Sequence, residues 1–227
     1  MTRLAGTPGP HVFVDSLDNM QLGEDDLGHL SKSLRMRNGD PLTASDGNGS
    51  WRTATFAASG TLVGDGPTVT IPQRSTPLTV AFSLVKGTKP ELVIQKLTEL
   101  GIDRIVVLAS DRSVVKWDEA KVLKARSRWE RIIREAAMQS HQVRLPMVEA
   151  VLPALDWLAR PDVSIAHFDG VPLTSEHTSI AIGPEGGWSE SEVAAASGQV
   201  TLGSTVLRAE TAAIAAGTLL TAAADEQ

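Results

Sequence analysis

Two glycine-bearing stretches near the C-terminus decide the fold: Ile182-Gly183-Pro184-Glu185-Gly186-Gly187-Trp188 and Leu202-Gly203-Ser204-Thr205-Val206-Leu207-Arg208-Ala209-Glu210-Thr211-Ala212. Each follows a short apolar run and leads into a helix-like segment. Open α/β sheets bind ligands in crevices outside the carboxyl ends of their strands. We therefore predict that the two turns lie at neighbouring strand ends and form a small-molecule site.

Strand-like and helix-like segments alternate from residue 78 to the C-terminus. Apolar runs predict strands over 78–85, 105–109, 163–168, 180–182 and 200–202. Helical spacing of apolar residues predicts helices over 90–100, 118–142 and 211–224. Ser189 and Glu192 have the spacing of a capping box, which predicts another helix just after the first glycine turn. Strands that alternate with helices indicate a parallel α/β sheet.

The N-terminal third has a different pattern. Short β-like runs at 11–14, 51–56 and 68–71 are separated by turn signals, and 26–36 has the spacing of a short helix. This pattern is typical of a small β-barrel. We predict a barrel domain over 1–72, a linker over 73–77 and an α/β domain over 78–227.

Composition excludes several classes of protein. The 227 residues include no cysteine, so disulfides and thiolate metal sites are excluded. The five histidines have no metal-ligand spacing, and we predict no metal. No signal peptide and no membrane-spanning apolar run are recognisable, so we expect a cytoplasmic protein with no membrane partner.

Charge is unevenly distributed along the chain. The net charge is −6, but residues 86–144 hold 13 basic and 8 acidic side chains, whereas residues 145–227 hold 2 basic and 11 acidic. Nucleic-acid binding depends on local basic surface rather than on total charge. The middle segment could supply such a surface, although charge alone favours a solvated helix face.

The two glycine turns, together with Gln95-Lys96-Leu97-Thr98-Glu99-Leu100-Gly101 and Leu34-Arg35-Met36-Arg37-Asn38-Gly39-Asp40, carry a family resemblance. Taken together, and in their order along the chain, these stretches resemble the ribosomal RNA small-subunit methyltransferase E family, of the SPOUT class. The resemblance implies a SPOUT-type α/β-knot domain preceded by a PUA-like β-barrel. It also implies methylation of the N3 of a uridine in 16S rRNA of the small ribosomal subunit, S-adenosylmethionine as methyl donor, and a homodimer.

The resemblance assigns the methyl donor to the two glycine turns. The implied cofactor-binding residues are Ile182, Gly183, Pro184, Glu185, Gly186, Gly187, Leu202, Gly203, Val206, Leu207, Thr211 and Ala212. Read without the resemblance, the first turn is equally well a tight strand-to-helix connection.

Three charged residues on the same turns are candidates for catalysis. N3 of uracil carries a weakly acidic proton, so a carboxylate could remove it and an arginine could stabilise the anion. Glu185 and Glu210 are the candidate bases, and Arg208 is the candidate electrostatic partner. A local ion pair between Arg208 and either glutamate is the structural alternative.

Candidate RNA contacts lie elsewhere in the chain: Lys32, Arg35 and Arg37 in the N-terminal domain, and Lys86, Lys89 and Arg112 after predicted strands. The segment Met138-Gln139-Ser140-His141-Gln142 departs from the glutamate and Gly-Arg pair that relatives commonly have. Two alternatives remain open: a SPOUT methyltransferase with a different RNA target, and a non-catalytic RNA-binding or ribosome-assembly factor.

Overall fold

The computed structural model describes residues 7–225, which form two compact units. The first unit contains the described residues up to Arg74 together with Arg134–Leu145. The second contains Ser75–Ile133 and the described residues from Pro146 onward. The predicted domain ranges also include residues 1–6 and 226–227, which lie outside the described residues.

The first unit is built on a four-stranded sheet. Its strands are β1 (His11–Phe13), β2 (Pro41–Ser45), β3 (Ser50–Thr55) and β4 (Val63–Thr70), in the order β1-β2-β3-β4. The β1–β2 pair is parallel, and the other two pairs are antiparallel. Helix α1 (Glu24–Gly28) continues as a π-helical segment over His29–Ser33, so the predicted helix begins and ends earlier than expected. The core of this unit includes Val12, Leu30, Leu42 and Phe56.

The first unit contains a buried histidine whose ring nitrogens have partners within the same unit. His11 is 2% exposed, and its ring nitrogens lie 2.8 Å from Thr43 Oγ1 and 3.1 Å from Ser45 Oγ. Its ring stacks on His141 with centroids 5.8 Å apart. Burial, followed by repulsion from His141, lowers the pKa of His11 from 6.5 to about 4. His141 therefore has a structural partner within its own unit.

The second unit has a six-stranded parallel sheet, which confirms the predicted α/β class. The strands are β5 (Thr79–Ser83), β6 (Arg104–Ala109), β7 (Met147–Pro153), β8 (Val163–Pro172), β9 (Ser179–Ile182) and β10 (Gly198–Thr201). Their order is β10-β8-β9-β5-β6-β7. All five residues of the central strand β5 are buried, as expected for a sheet covered on both faces.

Helices follow most of these strands. They are α2 (Lys89–Glu99), α3 (Glu119–Gln139), α4 (Ala154–Leu158), α5 (Glu190–Ala195) and α6 (Ala209–Asp225). The predicted capping box is confirmed, because Ser189 Oγ accepts the Glu192 N–H and the Glu192 carboxylate accepts the Ser189 N–H. In α6, Gly217 lets the helix approach α2, since a Cβ there would lie 2.6 Å from Leu97 Cδ2.

Two elements of the second unit were not predicted. Strand β7 and the short helix α4 lie between predicted segments, in a stretch with little apolar periodicity. Across residues 7–225, no helix has both the length and the apolar character needed to cross a membrane.

Candidate functional site

A cavity of about 570 Å³ opens in the second unit, at the carboxyl ends of β9 and β10. Cavities of this size typically hold small-molecule ligands. The wall is formed by three segments of chain, with Arg112 beside them. Its lining residues are Arg112, Ala166, His167, Phe168, Ile182, Gly183, Pro184, Glu185, Gly187, Trp188, Val193, Thr201, Leu202, Gly203, Thr205, Val206, Leu207, Arg208, Ala209 and Ala212.

The first wall is the glycine turn after β9. The Gly187 N–H donates to the Pro184 carbonyl at 2.9 Å, which closes the turn, and Gly187 has a φ of +71°. The absence of a side chain at Gly183 leaves room for the Trp188 indole, which a Cβ would approach to 3.1 Å. Trp188 is 7% exposed, and its indole N–H has no hydrogen-bond partner in the described part of the chain. The turn therefore contributes backbone groups to the cavity wall, and its lining residue Trp188 carries a buried donor without a partner in the described part of the chain.

The second wall is the loop between β10 and α6. Gly203 has a φ of +138°, which a residue with a side chain rarely adopts. The Arg208 carbonyl accepts the Ala212 N–H at 2.8 Å, so α6 begins at Ala209. Thr211 therefore lies inside the first turn of α6, because the helix begins two residues earlier than the predicted start at 211.

The third wall is formed by residues 166–168 of β8, and its position contradicts the predicted strand order. The expectation that the two glycine turns follow neighbouring strands is wrong, because β8 lies between β9 and β10 in the sheet. The β8–β10 register passes from Ile165↔Gln199 directly to Val171↔Val200, so residues 166–170 of β8 leave the ladder. The first three of them line the cavity between the two glycine turns.

The charged groups divide into those on the cavity and those beside it. Arg208 and Glu185 both line the cavity and are exposed. Glu210 is only 14% exposed and pairs with Lys89, whose Nζ lies 3.0 Å from its carboxylate. Burial raises the pKa of Glu210, but its own backbone N–H, Lys89 and Arg208 outweigh burial and hold the pKa below its usual value. Glu210 is thus a stable anion whose charge is already compensated.

Most of the predicted cofactor residues are brought together. Ten of the twelve line the cavity, whereas Gly186 and Thr211 are not among its described lining residues. Sequence reasoning missed Ala166, His167, Phe168, Trp188, Val193, Thr201, Thr205 and Ala209. Of these, Trp188 directly follows the first glycine turn in the sequence. Residues 166–168 could not be recognised as site residues, because they form the end of an ordinary apolar run.

The predicted RNA contacts are divided between the two units. Lys32, Arg35 and Arg37 are exposed side chains of the first unit, and Lys86 is exposed after β5. Lys89 is committed to the ion pair with Glu210. Of the six candidates, only Arg112 lies on the cavity, as far as the described residues define it. Residues 7–225 contain no group of three or more His, Asp or Glu side chains suited to a metal ion.

The chain is similar in sequence to known RNA methyltransferases. The family model for the RNA methyltransferase domain matches residues 72–221. Ribosomal RNA small subunit methyltransferase E of Mycobacterium tuberculosis is 33% identical over 165 residues, covering 64% of this chain and 63% of that protein. The Synechocystis protein of the same name is 31% identical over 208 residues, covering 82% and 67%.

A solved structure extends the likeness to nearly the whole fold. A methyltransferase from Legionella pneumophila, in complex with bound SAM, is 27% identical, with a TM-score of 0.78 over 95% of this chain and 98% of that one. By contrast, the chain spans less than two thirds of the length of the Mycobacterium tuberculosis relative.

Proposed function

The chain belongs to the ribosomal RNA small subunit methyltransferase E family of RNA methyltransferases, and we propose that it methylates the N3 of a uridine in 16S rRNA. S-adenosylmethionine is the proposed methyl donor. The observation that carries the proposal is the convergence of both glycine turns on one cavity that also holds Arg208 and Glu185.

The residues of the cavity fit the proposed donor. Backbone groups of the two turns are available to the polar adenosine edge, and Ile182, Leu202 and Leu207 provide apolar walls. The unpartnered indole N–H of Trp188 adds a buried donor for an acceptor atom of a ligand.

The reaction requires two things from the protein. S-adenosylmethionine supplies a methyl group on a sulfonium; as N3–CH₃ forms, the S–CH₃ bond breaks, a neutral thioether leaves, and the N3 proton must be removed. Glu185 is a carboxylate on the cavity that could accept that proton. Arg208, which is exposed on the same cavity, could stabilise negative charge on O2 or O4 of the uracil.

Glu210 is better suited to positioning than to proton transfer. Its carboxylate is held by Lys89, which fixes the first turn of α6 against the first turn of α2. Arg208 immediately precedes α6, so this pair holds the segment that carries the arginine. Fixing a reacting group in this way lowers the entropy cost of catalysis.

We also propose roles for the two units, their RNA contacts and the oligomeric state. We assign the first unit as a PUA-like RNA-binding domain, with Lys32, Arg35 and Arg37 as phosphate contacts, and the second unit as a SPOUT α/β-knot domain. Lys86 and Arg112 are the proposed RNA contacts of the second unit. We further propose a cytoplasmic homodimer, which light scattering would detect as about twice the chain mass of 24.1 kDa.

Two assays test the function. Calorimetric titration should detect binding of S-adenosylmethionine to the protein. A labelled methyl group should then pass to 16S rRNA when small subunits from a strain lacking the modification are added, and not to bulk transfer RNA. Binding of the donor with label in transfer RNA would favour a SPOUT enzyme of different target. Neither binding nor transfer would leave a non-catalytic RNA-binding factor.

A further inference from the structure

The departure of residues 166–170 of β8 from the sheet costs the second unit stability. Residues 166–170 pair with neither β9 nor β10 in the described part of the sheet, which forfeits ladder hydrogen bonds. The return to the ladder needs a glycine, because a Cβ at Gly170 would lie 2.3 Å from the Val200 carbonyl carbon. Bulges beside functional sites commonly serve to re-aim a side chain.

The side chain that this excursion exposes is an aromatic ring. Phe168 is 63% exposed and lines the cavity, in T-shaped contact with the His167 ring. All nine aromatic residues of the chain lie within residues 7–225, and the other eight are buried or half-buried. An exposed aromatic ring at a cavity mouth indicates a binding surface rather than a core residue.

The charges around this ring indicate what it binds. Arg112 and Arg208 line the same cavity as the Phe168 ring, so the cavity offers two guanidinium groups as well as an aromatic face. Unpaired bases stack on aromatic rings, whereas their phosphates and carbonyl oxygens accept from arginine. The methyl donor is assigned to the backbone groups of the two turns, so a lining ring that remains mostly exposed is available to the second substrate.

We propose that Phe168 is the stacking platform that holds the target base over the methyl donor. This inference rests on the proposed methyltransferase function. It assigns recognition of the base to a ring on β8 as well as to the two glycine turns, and it explains why β8 leaves the sheet beside them.

The test compares Phe168→Ala, Phe168→Trp and Val171→Ala in the full chain. Val171 is a matched control because it lies on the same strand, is 58% exposed, and is not among the described lining residues of the cavity. We expect Phe168→Ala to raise the KM for small subunits by about 5- to 100-fold, as loss of one base-stacking contact does. The Kd for S-adenosylmethionine should stay within about two-fold, and Phe168→Trp and Val171→Ala should behave as wild type.

Each other outcome overturns the proposal. A raised Kd for S-adenosylmethionine with an unchanged KM for small subunits would assign the ring to the donor. A change in molar mass by light scattering would assign it to a subunit contact. An unchanged Phe168→Ala variant alongside an active wild type would remove this inference alone, whereas an inactive wild type that binds no donor would remove the proposed function itself.

Discussion

At the scale of single residues, the two candidate catalytic glutamates have different surroundings. Glu185 is exposed on the cavity, whereas Glu210 is held by Lys89 with a lowered pKa. We predict that Glu185→Gln lowers kcat by about 10²-fold or more, the range typical of a lost general base. Glu210→Gln should cost less in kcat and about 0.5–1 kcal/mol in stability, as for a lost ion pair. A larger kcat loss for Glu210→Gln than for Glu185→Gln would reverse the assignment.

His11 predicts how the stability of the first unit depends on pH. Its pKa is about 4 in the folded protein and 6.5 in the unfolded chain, so the unfolded state binds the proton more readily. The stabilising effect of the neutral ring is complete above pH 6.5 and is lost as pH falls towards 4. The shift corresponds to roughly 3 kcal/mol.

Urea unfolding between pH 7.5 and 4 measures this effect. His11→Gln should flatten the pH dependence, whereas replacement of the exposed His29 by Gln should leave it unchanged. An equally steep loss of stability in His11→Gln would show that other groups cause it.

At the scale of elements, strands β8 and β10 each contain a glycine close to the other strand, and the two glycines have different neighbours. A Cβ at Gly170 would meet the Val200 backbone at 2.3 Å, whereas a Cβ at Gly198 would meet only the Ser164 hydroxyl, at 3.1 Å. Backbone cannot move aside as a side chain can, so Gly170→Ala should destabilise the protein by about 1–3 kcal/mol or more. Gly198→Ala should change stability by less than about 1 kcal/mol. Thermal and urea unfolding of both variants measure the difference, and equal losses would contradict the close approach.

The same elements show how far sequence reasoning reached. The parallel sheet and the capping box at Ser189 followed from local patterns, because apolar runs and capping spacing report local structure. The ten predicted cofactor residues that line the cavity followed from the family resemblance instead. The position of β8 between β9 and β10 did not, since strand order depends on contacts between distant segments. Strand β7 was missed because its residues are mostly half-buried and lack a continuous apolar run.

Side-chain pairing was also beyond the sequence. Lys89 and Glu210 are 121 residues apart, and nothing local to either indicates the pair. Because Lys89 binds Glu210, we no longer count Lys89 among the RNA contacts, and we assign Glu210 a positioning role. The grouping of Arg134–Leu145 with the first unit was equally hidden, because helix α3 continues through Arg134 without a break in its pattern.

At the scale of the whole molecule, an acidic chain is proposed to bind RNA. The net charge is −6, so binding must depend on local basic groups such as Arg35 and Arg37, which are exposed in the first unit. Each lost phosphate contact lowers the slope of log K against log salt by about one. Arg35→Ala with Arg37→Ala should therefore lower the slope for small-subunit binding by about two, measured by filter binding from 50 to 200 mM salt, a range suggested by typical nucleic-acid titrations.

The matched control for that experiment is Arg160, whose guanidinium lies over the Trp157 ring in the second unit. Arg160→Ala should leave the slope unchanged. An unchanged slope in the double variant as well would mean that the first unit contributes no phosphate contact at these positions.

The proposed reaction transfers a methyl group to the N3 of a uridine in the cavity between the two glycine turns. Nucleoside mass spectrometry of small-subunit RNA, after incubation with the protein and S-adenosylmethionine, tests it most directly. Wild type should produce 3-methyluridine, and Arg208→Ala should reduce its rate of formation by about 10²- to 10³-fold, as for a lost oxyanion donor. Arg160→Ala should not. A different methylated nucleoside, or equal product from Arg208→Ala, would contradict the account.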